Sequence, residues 1–326
     1  MLNVPKNNFA IQTMASPHMH PLILDGGMSR ELIRVGAPFK QPEWSALALL
    51  EAPQYVLKVH ADFIAAGADV VTTNSYAIVP FHIGEDRFWQ RGEELARLAG
   101  STARQAADAE KDATGKKVLV AGCLPPVFGS YEPDKFDGSR VKEYLQILVN
   151  GLAPFVDVWL GETLSLVAEA KAVVDVTKDT RKPVWISFCP DDSERASTEA
   201  PRLRSGESIT DTTRWALEAS IEAVLFNCCR PEFADASLDS IVKHLQQQTS
   251  TKLPRIGVYA NAFVPRSNDY AANENISATD EELTPDAYAV AAATWQDKGA
   301  SIIGGCCGIG ANHIRAIAMK LNAVDA

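Results

Sequence analysis

The sequence has no run of basic residues and no apolar stretch near the ~18 residues a bilayer span needs. Its 31 Lys and Arg are outnumbered by 41 Asp and Glu, a formal charge of −10. That balance argues against nucleic acid or an anionic membrane surface as a partner. The N-terminal stretch MLNVPKNNFAIQTMASPHMHP lacks the basic, apolar and small-residue order of a signal peptide. Residues 1–20 are therefore expected to form a flexible leader, and the protein is expected to be cytoplasmic. Cysteines are few: Cys123, Cys189, Cys228, Cys229, Cys306 and Cys307 in 326 residues. Six cannot staple a chain of this length. Two adjacent pairs in a reducing compartment point to metal or chemistry rather than disulfides. A GxGxxG loop is also missing after the first apolar run, where DGGMSREL stands instead, which disfavours an open dinucleotide-binding sheet.

What is present is an alternation of short apolar runs with longer helical patterns. Strands are expected near 21–24, 69–73, 117–122, 157–160, 184–188, 222–227, 255–259 and 301–304. Several are apolar throughout, as parallel strands buried on both faces are. Between them, Pro53 opens a helical pattern that Gly67 ends, with Val56, Val59, His60, Phe63 and Ile64 on one face. Leu95, Leu98, Ala99, Thr102 and Ala106 share another helical face. Thr284-Pro285 reads as a cap and first turn, and a last helix is expected from about Ala311 to Leu321. Eight right-handed βα units imply a single (β/α)8 TIM barrel over 21–326. The longer segments near 75–91, 123–138, 189–208 and 260–283 are expected to be loops at the face where barrels keep their chemistry.

Unusual residues gather at the strand ends. Asp25 follows the first strand, Asn74 and Tyr76 the second, Cys123 the third, Glu162 the fourth and Cys189 the fifth. Cys228 and Cys229 follow the sixth, Asn261 the seventh, and Cys306 and Cys307 the eighth. In a barrel all of these surround one mouth. Sulfurs from the sixth and eighth strand ends could converge on one ion, and three thiolates with one open position is the pattern of a catalytic zinc. Glycines around the last pair, Gly304, Gly305 and Gly308, permit the sharp turn that two adjacent ligands need. Plainer readings exist for several of these groups. Cys123 and Cys189 fit as small buried apolar residues. Asp25 could cap a turn, Glu162 could serve an ion pair, and Asn74 and Tyr76 could satisfy loop backbone. His60 fits a structural hydrogen bond, and Trp44 either a loop anchor or a pocket wall.

Taken together, LILDGGMSREL, HADFIAAGADVVTTNSY, GETLSLVAEAKAVV, VWISF followed by LRSGES, the NCC at 227–229, and IIGGCCG resemble the homocysteine S-methyltransferase family. The likeness runs from about Pro21 to Leu321 and implies the same barrel. It also implies zinc (Zn2+) held by Cys228, Cys306 and Cys307, with Cys229 outside the ligand pattern. Asp25, Gly26, Gly27 and Glu162 match positions lining a homocysteine pocket, where Glu162 would take the amino group. Asn74 and Tyr76 join that pocket, and Asn261 resembles an asparagine near the metal. The implied partners are small molecules only, homocysteine and a methyl donor, in a monomer or homodimer.

Coordination to zinc ionises a thiol that would otherwise be mostly protonated near neutrality. Zinc with three thiolates carries one net negative charge, and a fourth thiolate adds another, so the site favours a cationic donor. Trp44, Tyr76 and Tyr131 are expected to offer aromatic faces to that cation. S-methylmethionine is the expected donor. Betaine, S-adenosylmethionine and a separate corrinoid protein are the alternatives, and selenohomocysteine is an alternative acceptor. Two rival classes are a zinc-dependent hydrolase barrel, which would want His or carboxylate ligands, and a zinc or redox sensor using the vicinal cysteines without catalysis.

Overall fold

The computed structural model describes residues 20–249, 252–263 and 280–323. The expected leader, apart from His20, and most of the expected 260–283 loop lie outside the described residues. Eight parallel strands form one sheet: β1 (Leu22–Ile23), β2 (Val70–Thr72), β3 (Leu119–Leu124), β4 (Val158–Leu164), β5 (Val184–Phe188), β6 (Ala223–Asn227), β7 (Arg255–Tyr259) and β8 (Ile302–Ile303). Each expected strand is present, with ends shifted by a few residues. The hydrogen-bonded order runs from β1 through β8 and down to β2. A parallel bridge between Leu24 and Val70 brings the first and second strands together and closes the barrel.

Two apolar layers hold this closed sheet. Inside the barrel, Leu24, Val70, Ala121, Val158, Leu160, Trp185, Ala223, Leu225, Tyr259 and Ile302 pack together. Outside it, alternate strand residues such as Val71, Val120, Trp159, Ile186, Val224 and Val258 meet the surrounding helices. Because both faces are covered, the strands carry the apolar runs noted above. Each fully buried Leu, Ile or Phe side chain contributes about 1.5–3 kcal/mol.

Helix Pro53–Ala65 buries Val56, Val59, His60, Phe63 and Ile64, and the expected Pro53 stands at its first turn. His60 departs from expectation: neither ring nitrogen has a hydrogen-bond partner, and burial lowers its pKa to about 4. It packs as a neutral ring. The 75–91 segment is mostly not loop, since helices Pro80–Ile83 and Glu85–Thr114 occupy it. The latter runs for 30 residues, with Phe88, Leu95, Ala96, Ala99, Ala103 and Ala106 on one buried stripe that extends as far as Ala107. Thr284 caps helix Pro285–Asp297, its Oγ1 accepting from Ala287 N at 3.3 Å. Helix Ala311–Asn322 comes last in the described chain. No helix among the described residues is long and apolar enough to cross a membrane.

Candidate active site

The C-terminal strand ends surround a cavity of about 200 Å³ lined by Asp25, Glu162, Cys228, Cys306 and Cys307 among others. Close backbone approach builds one wall. A Cβ on Gly27 would sit 2.6 Å from the Cys306 carbonyl oxygen, and one on Gly304 would collide with Leu24 Cβ. Only glycine lets the ends of β1 and β8 come this near. The turn is then tied to its neighbours by Gly305 N donating to Asp25 O (3.1 Å), Cys306 N to Ala260 O (2.9 Å) and Ala262 N to Cys307 O (2.9 Å).

The sixth strand ends differently. Cys228 takes a φ of 54°, left-handed for a side chain with a Cβ, which costs on the order of 1–3 kcal/mol. The bend separates two adjacent sulfurs. Cys228 lines the cavity, whereas Cys229 packs in the layer between sheet and helices. The Sγ atoms of Cys228, Cys306 and Cys307 all lie within 4.8 Å of one another, with Cys228 and Cys307 3.8 Å apart. A tetrahedral ion with metal–sulfur bonds of ~2.3 Å sets its sulfurs about 3.8 Å apart. These three residues could hold a metal ion.

Two carboxyl groups face the same space. Asp25 Oδ2 accepts from Thr72 N at 2.8 Å, and Oδ1 from Thr72 Oγ1 at 3.1 Å. Burial, against the pull of those bonds, raises its pKa to about 8. Glu162 lies in β4, where the pairing register with β5 shifts between Gly161 and Leu164. Its Oε2 accepts from Cys123 Sγ at 3.0 Å and its Oε1 from Tyr259 Oη at 3.3 Å. Burial raises its pKa to about 7. Two carboxyl groups buried at one cavity favour a cationic group beside them.

The remaining expected residues divide. Gly26, Gly27, Asn74 and Tyr76 line the cavity with Trp44. Asn74 Nδ2 is committed to Ser45 O (3.1 Å), and the Tyr76 hydroxyl to Ser130 Oγ (2.8 Å). Asn261 does not line the cavity, and its Oδ1 accepts from Phe263 N at 3.1 Å. Cys123 and Cys189 are buried, as small apolar residues would be, and both also make hydrogen bonds. Cys123 donates to Glu162, while Cys189 Sγ accepts from Arg204 Nε at 3.3 Å and donates to Cys228 O at 3.4 Å. Tyr131 lines the cavity as well, with the Arg204 guanidinium stacked on its ring, 4.6 Å from the centroid.

Sequence reasoning missed Thr72, Tyr259 and Asn227. Asn227 Nδ2 donates to Thr163 Oγ1 at 2.8 Å and approaches Cys306 Sγ at 3.8 Å, and Ser187 Oγ donates to its Oδ1 at 2.7 Å. Strand alternation offered a signal for Tyr259, since it shares the inward face with Gly257 and Arg255. Asn227 stood in the NCC motif but is the last residue of its strand, where alternation alone does not say which groups it meets.

The profile of the family described as homocysteine S-methyltransferase matches residues 22–321. Homocysteine S-methyltransferase 1 of Zea mays is 30% identical, over 92% of this chain and 94% of its own length. Homocysteine S-methyltransferase YbgG of Bacillus subtilis (strain 168) is also 30% identical, over 92% and 94%. Among solved structures, the metallated form of the homocysteine methyltransferase MmuM from Escherichia coli superposes with a TM-score of 0.73. It is 24% identical, over 93% of this chain and 96% of its own, and shares the fold. With its barrel, its strand-end sulfurs and a profile match across nearly the whole chain, the protein is an enzyme of the homocysteine S-methyltransferase family.

Proposed function

We propose that this enzyme uses zinc to transfer a methyl group from a small onium donor, S-methylmethionine foremost, to the thiolate of homocysteine, giving methionine. The observation that carries the reading is the cluster of three sulfurs within 4.8 Å opening on a cavity that also holds Asp25 and Glu162. Cys228, Cys306 and Cys307 would hold the zinc, which supplies ionisation of the substrate thiol at neutral pH.

The chain's own groups do the positioning. Glu162 takes the substrate ammonium, and its proton leaves as the cation arrives. Asp25, fixed by both Thr72 donors, orients the same end of homocysteine together with the close backbone of Gly26 and Gly27. The sulfur is thereby presented toward the aromatic wall of Trp44 and Tyr76, at a near-attack distance of ~3–3.5 Å from the methyl carbon in the productive complex. Carboxylates, thiolates and π faces together favour a positive donor. The cavity, about 200 Å³, lies below the ~300–1,000 Å³ usual for ligand pockets. That suits an amino-acid-sized sulfonium better than one bearing an adenosyl group. Betaine comes next, for its quaternary ammonium suits the same wall.

Calorimetry on zinc-loaded protein tests the reading. Homocysteine binding should release protons between pH 6 and 7, counted from the dependence of the heat on buffer ionisation enthalpy. Glu162→Gln should weaken that binding by about 2–4 kcal/mol while leaving thiols without the amino group unaffected. Zero proton release, or equal homocysteine affinity in the variant, would overturn the assignment.

A further inference from the structure

Tyr131 has a built environment that the reading above leaves unused. Its hydroxyl lies 2.8 Å from Cys228 Sγ, and its backbone takes a φ of 67° to put it there. Arg204 stacks on the ring and is itself anchored, Nη2 to Asp192 Oδ1 at 2.6 Å and Nε to Cys189 Sγ at 3.3 Å. Asp192 is fixed in turn by Arg230 N, which donates to its Oδ2 at 3.0 Å. Cys189 donates to the carbonyl of Cys228. One assembly thus holds both the sulfur and the backbone of the same residue. Such investment in one sulfur calls for a chemical reason.

A methyl donor entering this cavity would meet the protein's thiolates as well as the substrate's. Methylating a protein thiolate would turn a charged ligand into a neutral thioether and spoil the site. Hydrogen-bond donation to a thiolate occupies a lone pair and lowers its nucleophilicity, with little cost to its charge as a ligand. A phenol, with an ordinary pKa of ~10, carries its proton near neutrality and can donate it to a thiolate.

We propose that Tyr131 is a positioning residue that shields Cys228 from methylation, its hydroxyl donating to Cys228 Sγ while Arg204 holds the ring in place. This rests on the zinc–thiolate reading, and it assigns functions to Tyr131, Arg204 and Cys189 within that site.

The test is site-resolved alkylation of zinc-loaded protein by iodomethane, in which the attacked sulfur gains an S–CH3 bond and iodide leaves with the C–I electrons. Parent and Tyr131→Phe are compared after native mass spectrometry has measured the zinc content of each. The variant keeps the ring for Arg204 to cover. Methylation of Cys228 should be about tenfold faster in Tyr131→Phe, the worth of one hydrogen bond to a charged group, with Cys306 and Cys307 unchanged. An unchanged Cys228 rate at full zinc occupancy would overturn the proposal while leaving the zinc reading intact. A rise at all three sulfurs together would show general loosening and would overturn it too. A parent protein that takes up no zinc would overturn the zinc reading, and this inference with it.

Discussion

Cys123 Sγ donates to Glu162 Oε2 at 3.0 Å, linking the end of β3 to the carboxyl group proposed to take the substrate ammonium. The thiol is fully buried, and burial first, then the Glu162 charge, raise its pKa well above the usual thiol range. It therefore stays a donor, and with Tyr259 on the other oxygen it fixes the plane of the carboxyl group. Cys123→Ala should raise the KM for homocysteine about three- to tenfold with kcat little changed, the loss of one modest hydrogen bond. Cys123→Ser should restore most of it. Steady-state kinetics of both variants check this, and equal KM values for Ala and Ser would contradict it.

The metal cluster makes a sharper prediction. Changing Cys228, Cys306 or Cys307 singly to Ala should remove bound zinc and activity together, because two sulfurs hold the ion far less tightly than three. Cys229→Ala should retain zinc, since that side chain belongs to the sheet–helix layer. It should cost about 1–2 kcal/mol of stability through lost packing. Metal analysis of the purified variants, with a denaturation curve for Cys229→Ala, decides both.

A third prediction concerns pH and a group outside the site. Glu169 is buried in helix Val167–Thr177, where its Oε2 accepts from Ser165 N at 2.7 Å. Burial, against that bond, raises its pKa from the usual 4.5 to about 7. The folded protein therefore holds this proton where the unfolded chain has released it. Its contribution is fully present below pH 4.5 and is lost as pH rises through 7, on the order of 3 kcal/mol in all. Glu169→Gln keeps an acceptor for Ser165 and should flatten that decline. Urea denaturation from pH 5 to 8 measures it, and parallel curves for parent and variant would contradict the assignment.

The barrel was legible because its strands are buried on both sides and so carry unbroken apolar runs, with glycines and prolines marking the turns between. The convergence of Asp25, Glu162, Cys228, Cys306 and Cys307 was legible for a related reason. In a closed parallel barrel, residues just past the strands meet wherever they stand in the chain. Side-chain partners were not legible. Asn261 accepts from Phe263 N two residues on, a local bond that its place after a strand does not reveal. Whether Tyr131 presents a free ring depends on Arg204, far off in sequence. His60 shows the converse: its position on a packed helix face was clear, but its lack of any partner follows from apolar neighbours on other elements. The 75–91 segment reads as loop because its polar residues lie on the outer face of a long helix.

The central claim is zinc-dependent methyl transfer from a sulfonium to homocysteine, and isotope tracing tests it most directly. Zinc-loaded enzyme is incubated with homocysteine and S-methylmethionine carrying 13C in both S-methyl groups, and the methionine formed is analysed by mass spectrometry. The account predicts two methionines for each homocysteine consumed, each bearing one labelled methyl, and loss of the reaction when a chelator strips the zinc. Methionine formed from methylcobalamin but not from S-methylmethionine, betaine or S-adenosylmethionine, or undiminished turnover after complete zinc removal, would contradict it.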